Sequence, residues 1–236
     1  MNITVINGSS RHGSTWHCMD LVRQEIAVCE ETSVTEFFLP KAMPEFCSGC
    51  FSCFFNGEQT CPHADSIEPI VRALEKADAI ILTSSVYAMD VTGPMKSLLD
   101  HLCFMWGSHR PNPALFDKIG LTVVTTGGAG LSLSTKTLKN RLRFWGVKRI
   151  LSVKHPVGAF RWEDVNDKKL RKIKKTAQKT AKKIMKLNKK VTALPSPLFR
   201  KVVFNMMAGM MKKNTWNPKD KEHWQSHGWL DGKRPF

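Results

Sequence analysis

The chain lacks the long apolar runs and leader features that mark membrane or exported proteins. No stretch reaches the roughly 18 consecutive apolar residues of a spanning helix. The segment Met1–Gly8 has neither the basic region nor the apolar core of a secretory signal. We therefore expect a cytoplasmic protein, whose seven cysteines are thiols or metal ligands rather than a disulfide framework. A hydrophobic content of 42% and a charged content of 24% exclude wholesale disorder, collagen and coiled coil.

Several catalytic signatures are also missing. Neither G-x-S-x-G nor H-E-x-x-H occurs, which argues against a serine hydrolase of the α/β type and against a zinc peptidase. The dinucleotide fingerprint G-x-G-x-x-G and the P-loop pattern are absent as well. The eight histidines are scattered, and none pairs with Ser or Cys at a hydrolase spacing. No DNA- or RNA-binding motif appears, so we expect no nucleic-acid partner.

Acidic residues are scarce relative to basic ones. Lys and Arg number 36 against 20 Asp and Glu, a net charge of +16, which favours anionic partners or phosphorylated cofactors. Between Lys168 and Lys190 twelve residues are basic and none is acidic, while apolar residues keep one helical stripe. The preferred interpretation is the last helix of the fold with its basic face in water. A membrane-surface or polyanion-binding face is the less favoured alternative.

Apolar runs rich in β-branched residues alternate with amphipathic stretches. This alternation predicts an α/β fold, a doubly wound parallel sheet of five strands with helices on both faces. The predicted strands are Ile3–Ile6, Val34–Phe38, Ala79–Thr83, Gly120–Thr125 and Val147–Val153. The predicted helices run from Ser14 to about Cys29, from a cap at Asp65 to Lys76, over Met95–Trp106, up to Trp145, and over Lys168–Lys190. Residues 40–62 are predicted to be an irregular loop.

The C-terminal part departs from this alternation. We predict a main domain over residues 1–190 and an extension over residues 191–236, docked or at a subunit interface. Pro195 and Pro197 break the preceding helix, and Leu198–Met211 is a Met-rich apolar segment that packs on a second subunit or lies in a membrane interface. The extension is predicted to be helical, and the tryptophans of its tail Thr215–Phe236, which are Trp216, Trp224 and Trp229, predict that this tail is ordered and docked.

Three loops follow the carboxyl ends of predicted strands, where ligands bind in parallel α/β sheets. The first, Asn7–Thr15, is rich in small and hydroxyl residues and opens a helix, so it is either an anion site or an ordinary capped turn. The second, Ser84–Met89, holds the one tyrosine of the chain, Tyr87. The third, Thr125–Gly130, has glycines that allow a close backbone approach.

Taken together, residues 1–155 resemble the flavodoxin-like NAD(P)H-dependent FMN reductase family, including its iron–sulfur flavoprotein branch. The resemblance is carried by G-S-S-R-H-G-S-T-W from Gly8, by S-S-V-Y from Ser84 with Gly93, Lys96 and Asp100 downstream, and by T-G-G from Thr126. It implies a flavodoxin-like sheet of order 2-1-3-4-5, FMN as cofactor and NAD(P)H as co-substrate. It also implies a small electron acceptor (a flavin, a quinone or a nitro compound) or a redox protein, and a homodimer or higher homo-oligomer.

The same resemblance implies which residues hold the flavin, while no side chain is required as an acid or base. The FMN phosphate would lie on the first loop and the ring between the other two. The implied positions are Ser9, Arg11, Gly13, Ser14, Thr15, Trp16, Ser84, Ser85, Val86, Tyr87, Ala88, Met89, Thr126, Gly127 and Gly128.

A cysteine cluster lies between the second strand and the next helix. Cys47, Cys50, Cys53 and Cys61 follow the spacing C-x2-C-x2-C-x7-C, with Pro62 after the last. Four thiolates in a compact loop can hold a [4Fe–4S] cluster or a tetrahedral zinc ion, and a loop without metal is the third alternative. The cluster would make the protein an electron carrier. Cys18, Cys29 and Cys103 fall in helical patterns and are predicted to be buried apolar residues.

Overall fold

The computed structural model describes all 236 residues and contains one sheet of five parallel strands. The strands are β1 (Asn2–Asn7), β2 (Ser33–Phe38), β3 (Ala79–Ser85), β4 (Ile119–Thr126) and β5 (Arg149–Pro156). Their order across the sheet is β2-β1-β3-β4-β5. The predicted fold class and strand order are confirmed.

Eight helices connect or follow the strands. They are α1 (Ser14–Ala27), α2 (Ser52–Phe55), α3 (Ala64–Lys76), α4 (Gly93–His101), α5 (Leu131–Phe144), α6 (Asp167–Asn188), α7 (Leu198–Lys212) and α8 (Pro218–Ser226). None of them combines the length and apolarity that crossing a bilayer requires.

The three central strands are buried because helices cover both faces of the sheet. Every residue of β4 is buried, as expected for a strand in the middle of a parallel sheet. One core lies under α1 and α6, with Val22 and Ile173 packed on it. The other lies under α3, α4 and α5, with Ile70, Leu98 and Leu138. Since Ala79 pairs with both Ile3 and Ile119, the strands start level, and their carboxyl ends form one edge.

Several predicted boundaries shift for local reasons. The helix predicted from Met95 starts at Gly93, because the Thr92 side chain accepts a hydrogen bond from Met95 N and caps it. Beyond His101 it continues only as a 3₁₀ turn. The strand predicted from Val147 begins at Arg149, because Gly146, at φ +86°, makes a turn just before it.

Other predictions were wrong in detail. Asp65 is not the cap of α3, which begins at Ala64; the carboxylate lies in the first turn, near the positive end of the helix dipole. The loop over residues 40–62 contains α2 and a 3₁₀ turn.

Two residues that were predicted to be buried or docked are exposed. Cys29 is exposed because α1 ends at Ala27, so the residue lies beyond the buried stripe of the helix. Trp216 is exposed because it lies in the connection between α7 and α8.

Helices α7 and α8 pack on a third apolar cluster. Phe204 of α7, Trp224 of α8 and Trp229 after it surround Phe116, which lies just before β4. The guanidinium of Arg200 donates to the carbonyls of Phe116 at 2.8 Å and Gly146 at 2.9 Å. Because both carbonyls precede strands, the start of α7 lies at the amino edge of the sheet.

Candidate functional site

A cleft of about 430 Å³ opens at the carboxyl edge of the sheet, a volume typical of cofactor sites. The loops after β1, β3, β4 and β5 surround it. Ten of the predicted positions line it: Ser9, Arg11, Gly13, Ser14, Thr15, Ser85, Val86, Tyr87, Thr126 and Gly127. The three loops singled out in the sequence therefore meet in one place.

The turn before α1 presents backbone donors to this cleft. Gly13 is the N-cap and has no side chain, so no side-chain oxygen occupies the first-turn N–H groups of α1. The Ser9 hydroxyl accepts a hydrogen bond from Arg11 N at 3.2 Å, which curls the turn. No acidic residue lies in the first turn of α1. Free N–H groups, the helix dipole and the Arg11 cation together favour an anion here.

Three hydroxyl groups lie side by side at the floor of the cleft. Thr15 Oγ1 is 2.5 Å from Thr125 Oγ1 and 2.8 Å from Ser85 Oγ. Three hydroxyls carry three protons, and the two bonds between them use only two. One O–H is left to donate to another acceptor, so the floor can bind a ligand oxygen without breaking its own network.

The loop after β3 forms the rim. Val86 N donates to Thr125 O at 2.9 Å, which ties this loop to β4. Tyr87 and Asp90 close a tight turn through two backbone hydrogen bonds, and Ala88 and Met89 within it have positive φ angles. The turn holds the Tyr87 ring at the mouth, where its hydroxyl accepts a hydrogen bond from Arg11 at 3.1 Å.

Five predicted positions do not line the cleft. Trp16 turns away, because its Nε1 donates to Glu36 at 2.8 Å and its ring stacks on His12. The Ser84 hydroxyl is committed to the backbone of Ser85 and Thr92. Ala88, Met89 and Gly128 lie on the outer part of the rim loops.

The loop after β5 is the part of the cleft that the sequence analysis missed. Val157, Ala159, Phe160, Arg161, Trp162 and Glu163 line the cleft, as do His12, His17 and Thr125. His17 stacks on Trp162 with ring centroids 4.8 Å apart, and burial lowers the pKa of His17, so its ring stays neutral near pH 7. The strand topology could have indicated this loop, because β5 ends at the same edge of the sheet as its neighbours, where ligands bind.

The four predicted cysteine ligands line a second, smaller pocket of about 120 Å³: Cys47, Cys50, Cys53 and Cys61. Cys103 joins them from the turn after α4, half-buried rather than embedded in the core as predicted. The Cys53 thiol donates a hydrogen bond to the Cys103 sulfur, and this bond together with burial raises the pKa of Cys53. Burial also raises the pKa of Cys61. A metal would bind these groups as thiolates, so binding would release protons.

The same pocket offers a mixed set of ligands. Cys61 Sγ, one ring nitrogen of His63 and one of His101 lie within 4.8 Å of one another. His101 is buried, and its Nδ1 lies 2.9 Å from the Ser97 carbonyl, the kind of contact that orients metal-binding histidines. Five thiols and two imidazoles therefore fit either a cubane cluster on the cysteines or a zinc ion on Cys61, His63 and His101.

Comparison with known proteins agrees with this geometry. The family described as NADPH-dependent FMN reductase has a sequence model that matches residues 1–160. An iron–sulfur flavoprotein of Archaeoglobus fulgidus is 29% identical over 149 residues, 61% of this chain and 63% of the relative. Another, from Methanocaldococcus jannaschii, is 34% identical over 103 residues, 42% of this chain and 51% of the relative. The matched part thus spans less than two thirds of either relative.

Solved structures share the fold at low identity. An azoreductase from Bacillus anthracis superposes with a TM-score of 0.60 at 13% identity, covering 78% of this chain and 99% of that one. The apo form of an NADH:FMN oxidoreductase gives 0.54 at 20% identity, covering 78% of this chain and 89% of that one. At these identities the likeness shows the fold alone.

Proposed function

The chain belongs to the NADPH-dependent FMN reductase family, and on this premise we propose that it is an FMN-dependent oxidoreductase that passes electrons from NAD(P)H to a small acceptor. A free flavin, a quinone or a nitro compound is the proposed acceptor class. One observation carries the proposal: the cleft joins the helix-opening turn at Ser9–Thr15 to the Tyr87 rim in a volume that suits a flavin nucleotide.

The turn before α1 would hold the phosphate of FMN. The N–H groups of the first turn of α1 and the hydroxyls of Ser9 and Ser14 supply donors, and Arg11 supplies a positive charge. Thr15 fixes the floor through its bonds to Ser85 and Thr125. These groups bind and orient; none of them needs to move a proton.

The rim would hold the flavin ring. Val86, Tyr87 and Gly127 lie on two neighbouring loops, and a side chain added at Gly127 would meet no atom within 4 Å, so the backbone is open to a flat ligand there. Trp162 of the β5 loop, stacked on His17, forms the opposite wall of the cleft. FMN, when bound, supplies the hydride and electron chemistry, and the chain supplies the site.

Titration with FMN tests the proposal. We expect the protein to quench FMN fluorescence with one site per chain and to oxidise NADPH or NADH in the presence of a quinone. Thr15→Val removes the hydroxyl shared by Ser85 and Thr125 at nearly constant volume, so FMN should bind more weakly. Thr176→Val on the exposed face of α6 is the matched control, since its hydroxyl bonds only to Lys172 O. Unquenched fluorescence of the unaltered protein would refute the proposal.

One observation favours a second function, in which the protein is an electron carrier with an iron–sulfur cluster. All four cysteines of the spaced motif line a single pocket of about 120 Å³, and the two curated relatives above are named iron–sulfur flavoproteins. Protein purified without oxygen should then be brown and contain about four irons per chain. Yellow protein that lacks iron and oxidises NADPH rapidly would refute the electron-carrier function and support the reductase function. A homodimer remains a prediction, to be checked by light scattering.

A further inference from the structure

The net positive charge of the chain comes from one segment. Residues 168–219 hold 17 of the 36 Lys and Arg and none of the 20 Asp and Glu. The rest of the chain therefore holds 19 basic and 20 acidic residues and is close to neutral. This segment comprises α6, the connection after it, α7 and the first residues of α8. The flavin cleft accounts for none of these charges, because its cationic lining residues, Arg11 and Arg161, lie outside the segment.

Helix α7 carries an apolar stripe that faces solvent. Four residues at four-residue steps lie on one face of a helix, and here they are exposed: Leu198 at 76%, Val202 at 57%, Met206 at 54% and Met210 at 63%. Trp216, just beyond the helix, is 62% exposed. Large side chains gathered in this way usually mark an interaction surface.

The opposite face of α7 is buried against the rest of the protein. Arg200, Phe204, Ala208 and Met211 are buried, and the last three pack in the cluster around Phe116 and Trp224. The helix is therefore fixed in orientation by the fold. Its exposed stripe cannot turn inward without breaking that cluster.

Charge surrounds the stripe. Lys201 lies beside it near the start of α7, and Lys212 and Lys213 end the helix, with no acidic residue on α7. An amphipathic helix with an apolar stripe, a terminal tryptophan and flanking lysines has the composition of helices that lie in the plane of a membrane surface. Lysines near such a surface are attracted to anionic headgroups.

The other occupants fit less well. A second copy of this face offers no acidic residue to Lys201, Lys212 and Lys213, and like charges across an interface oppose binding. Nucleic acid would satisfy the charge but leave the aliphatic stripe in water, since it binds through phosphates, base edges and aromatic stacking. An anionic lipid surface satisfies both the lysines and the stripe.

We propose that α7 docks the protein on anionic phospholipid surfaces. The exposed stripe would insert among the acyl chains, and the flanking lysines, Lys201, Lys212 and Lys213, would contact the headgroups. The start of α7 lies at the amino edge of the sheet, whereas the cleft opens at the carboxyl edge. Docking therefore leaves the cleft accessible. The proposal does not depend on which acceptor the flavin serves.

Sedimentation with vesicles tests it, using the full chain and two lipid compositions. We expect binding to phosphatidylcholine vesicles containing roughly one third phosphatidylglycerol, and little binding to phosphatidylcholine alone. The double variant Met206→Gln, Met210→Gln should bind at least roughly tenfold more weakly, because it removes two inserted side chains. Val28→Gln, an equally exposed apolar site at the end of α1, is the matched control and should bind as the unaltered protein does.

Each other result overturns the proposal. Absence of binding to the anionic vesicles at low salt removes it outright. Binding that the double variant retains would show attraction by charge without insertion. A dimer that light scattering detects and the double variant dissolves, with no vesicle binding, would assign the stripe to a second copy. Circular dichroism of the double variant confirms that it is folded before any of these comparisons is made.

Discussion

The guanidinium of Arg110 donates a 2.6 Å hydrogen bond to the carboxylate of Asp220, and both side chains are almost completely buried. The same guanidinium donates to the Cys53 carbonyl at 2.6 Å. Asp220 also accepts from Asn217, and its other contact is His109 Nδ1 at 2.7 Å. One buried cation therefore joins α8, far along the chain, to the cysteine loop. The C-terminal extension supports the pocket in which the thiols meet.

Asp220→Asn tests this connection. It removes the buried carboxylate that pairs with Arg110 and leaves only the half-exposed Glu58, at 3.3 Å, as a charged partner. Breaking a buried pair in this way typically costs about 3–5 kcal/mol. Urea unfolding should show this loss. The control is Glu222→Gln, which removes an exposed pair with Lys219 on the same helix and should leave the urea midpoint almost unchanged. Equal effects of the two substitutions would show that Asp220 has no special role.

Stability should fall as the medium is acidified, partly through His223. Burial lowers the pKa of His223 to about 4, while its Nε2 lies 3.0 Å from the carbonyl of Pro111. The unfolded chain takes up a proton below about pH 6.5 and the folded chain does not, so the contribution is present above pH 6.5 and is lost as the pH falls toward 4. The loss should be on the order of 2–3 kcal/mol.

Denaturant unfolding at pH 7 and pH 4.5 measures this dependence. His223→Gln keeps a donor for the Pro111 carbonyl but does not titrate, so its stability should change less between the two pH values. A variant with the same slope as the unaltered protein would assign the acid sensitivity to other groups.

The metal content of the cysteine pocket should depend on which ligands are removed. A cluster on the spaced cysteines predicts that Cys47→Ser and Cys50→Ser lose iron, whereas His101→Gln retains it. A zinc ion on Cys61, His63 and His101 predicts the reverse: His101→Gln loses zinc and Cys47→Ser retains it. Elemental analysis of protein purified without oxygen decides between them, and Cys18→Ser, outside the pocket, serves as the control. If every variant retained its metal, the metal would have to bind outside the cysteine pocket.

The sheet was predictable because burial on both faces imposes continuous apolar runs, as in β3 and β4. The loops after β1, β3 and β4 were predictable because glycine, hydroxyl residues and the one tyrosine mark them. The β5 loop has no such marker. Trp162 and Phe160 reach the cleft only because β5 lies beside β4 in the folded sheet. Trp16 does not line the cleft, because its motif position sets only where the backbone lies, whereas Glu36 and His12 set where the ring points.

Arg11 gives the sharpest test of how the cleft binds its ligand. Its guanidinium lies beside the turn that opens α1 and donates to the Tyr87 hydroxyl at 3.1 Å. If the turn holds a phosphate, Arg11→Met should weaken binding of FMN by roughly tenfold, since a charge-assisted hydrogen bond is worth about 1.5–3 kcal/mol. Binding of riboflavin, which has the same ring but no phosphate, should change little. Tyr87→Phe is the matched control for the guanidinium's position, because it removes only the hydroxyl acceptor and leaves the charge. An equal loss for FMN and riboflavin would place Arg11 on the ring instead of the phosphate, and the turn before α1 would then lose its assigned role.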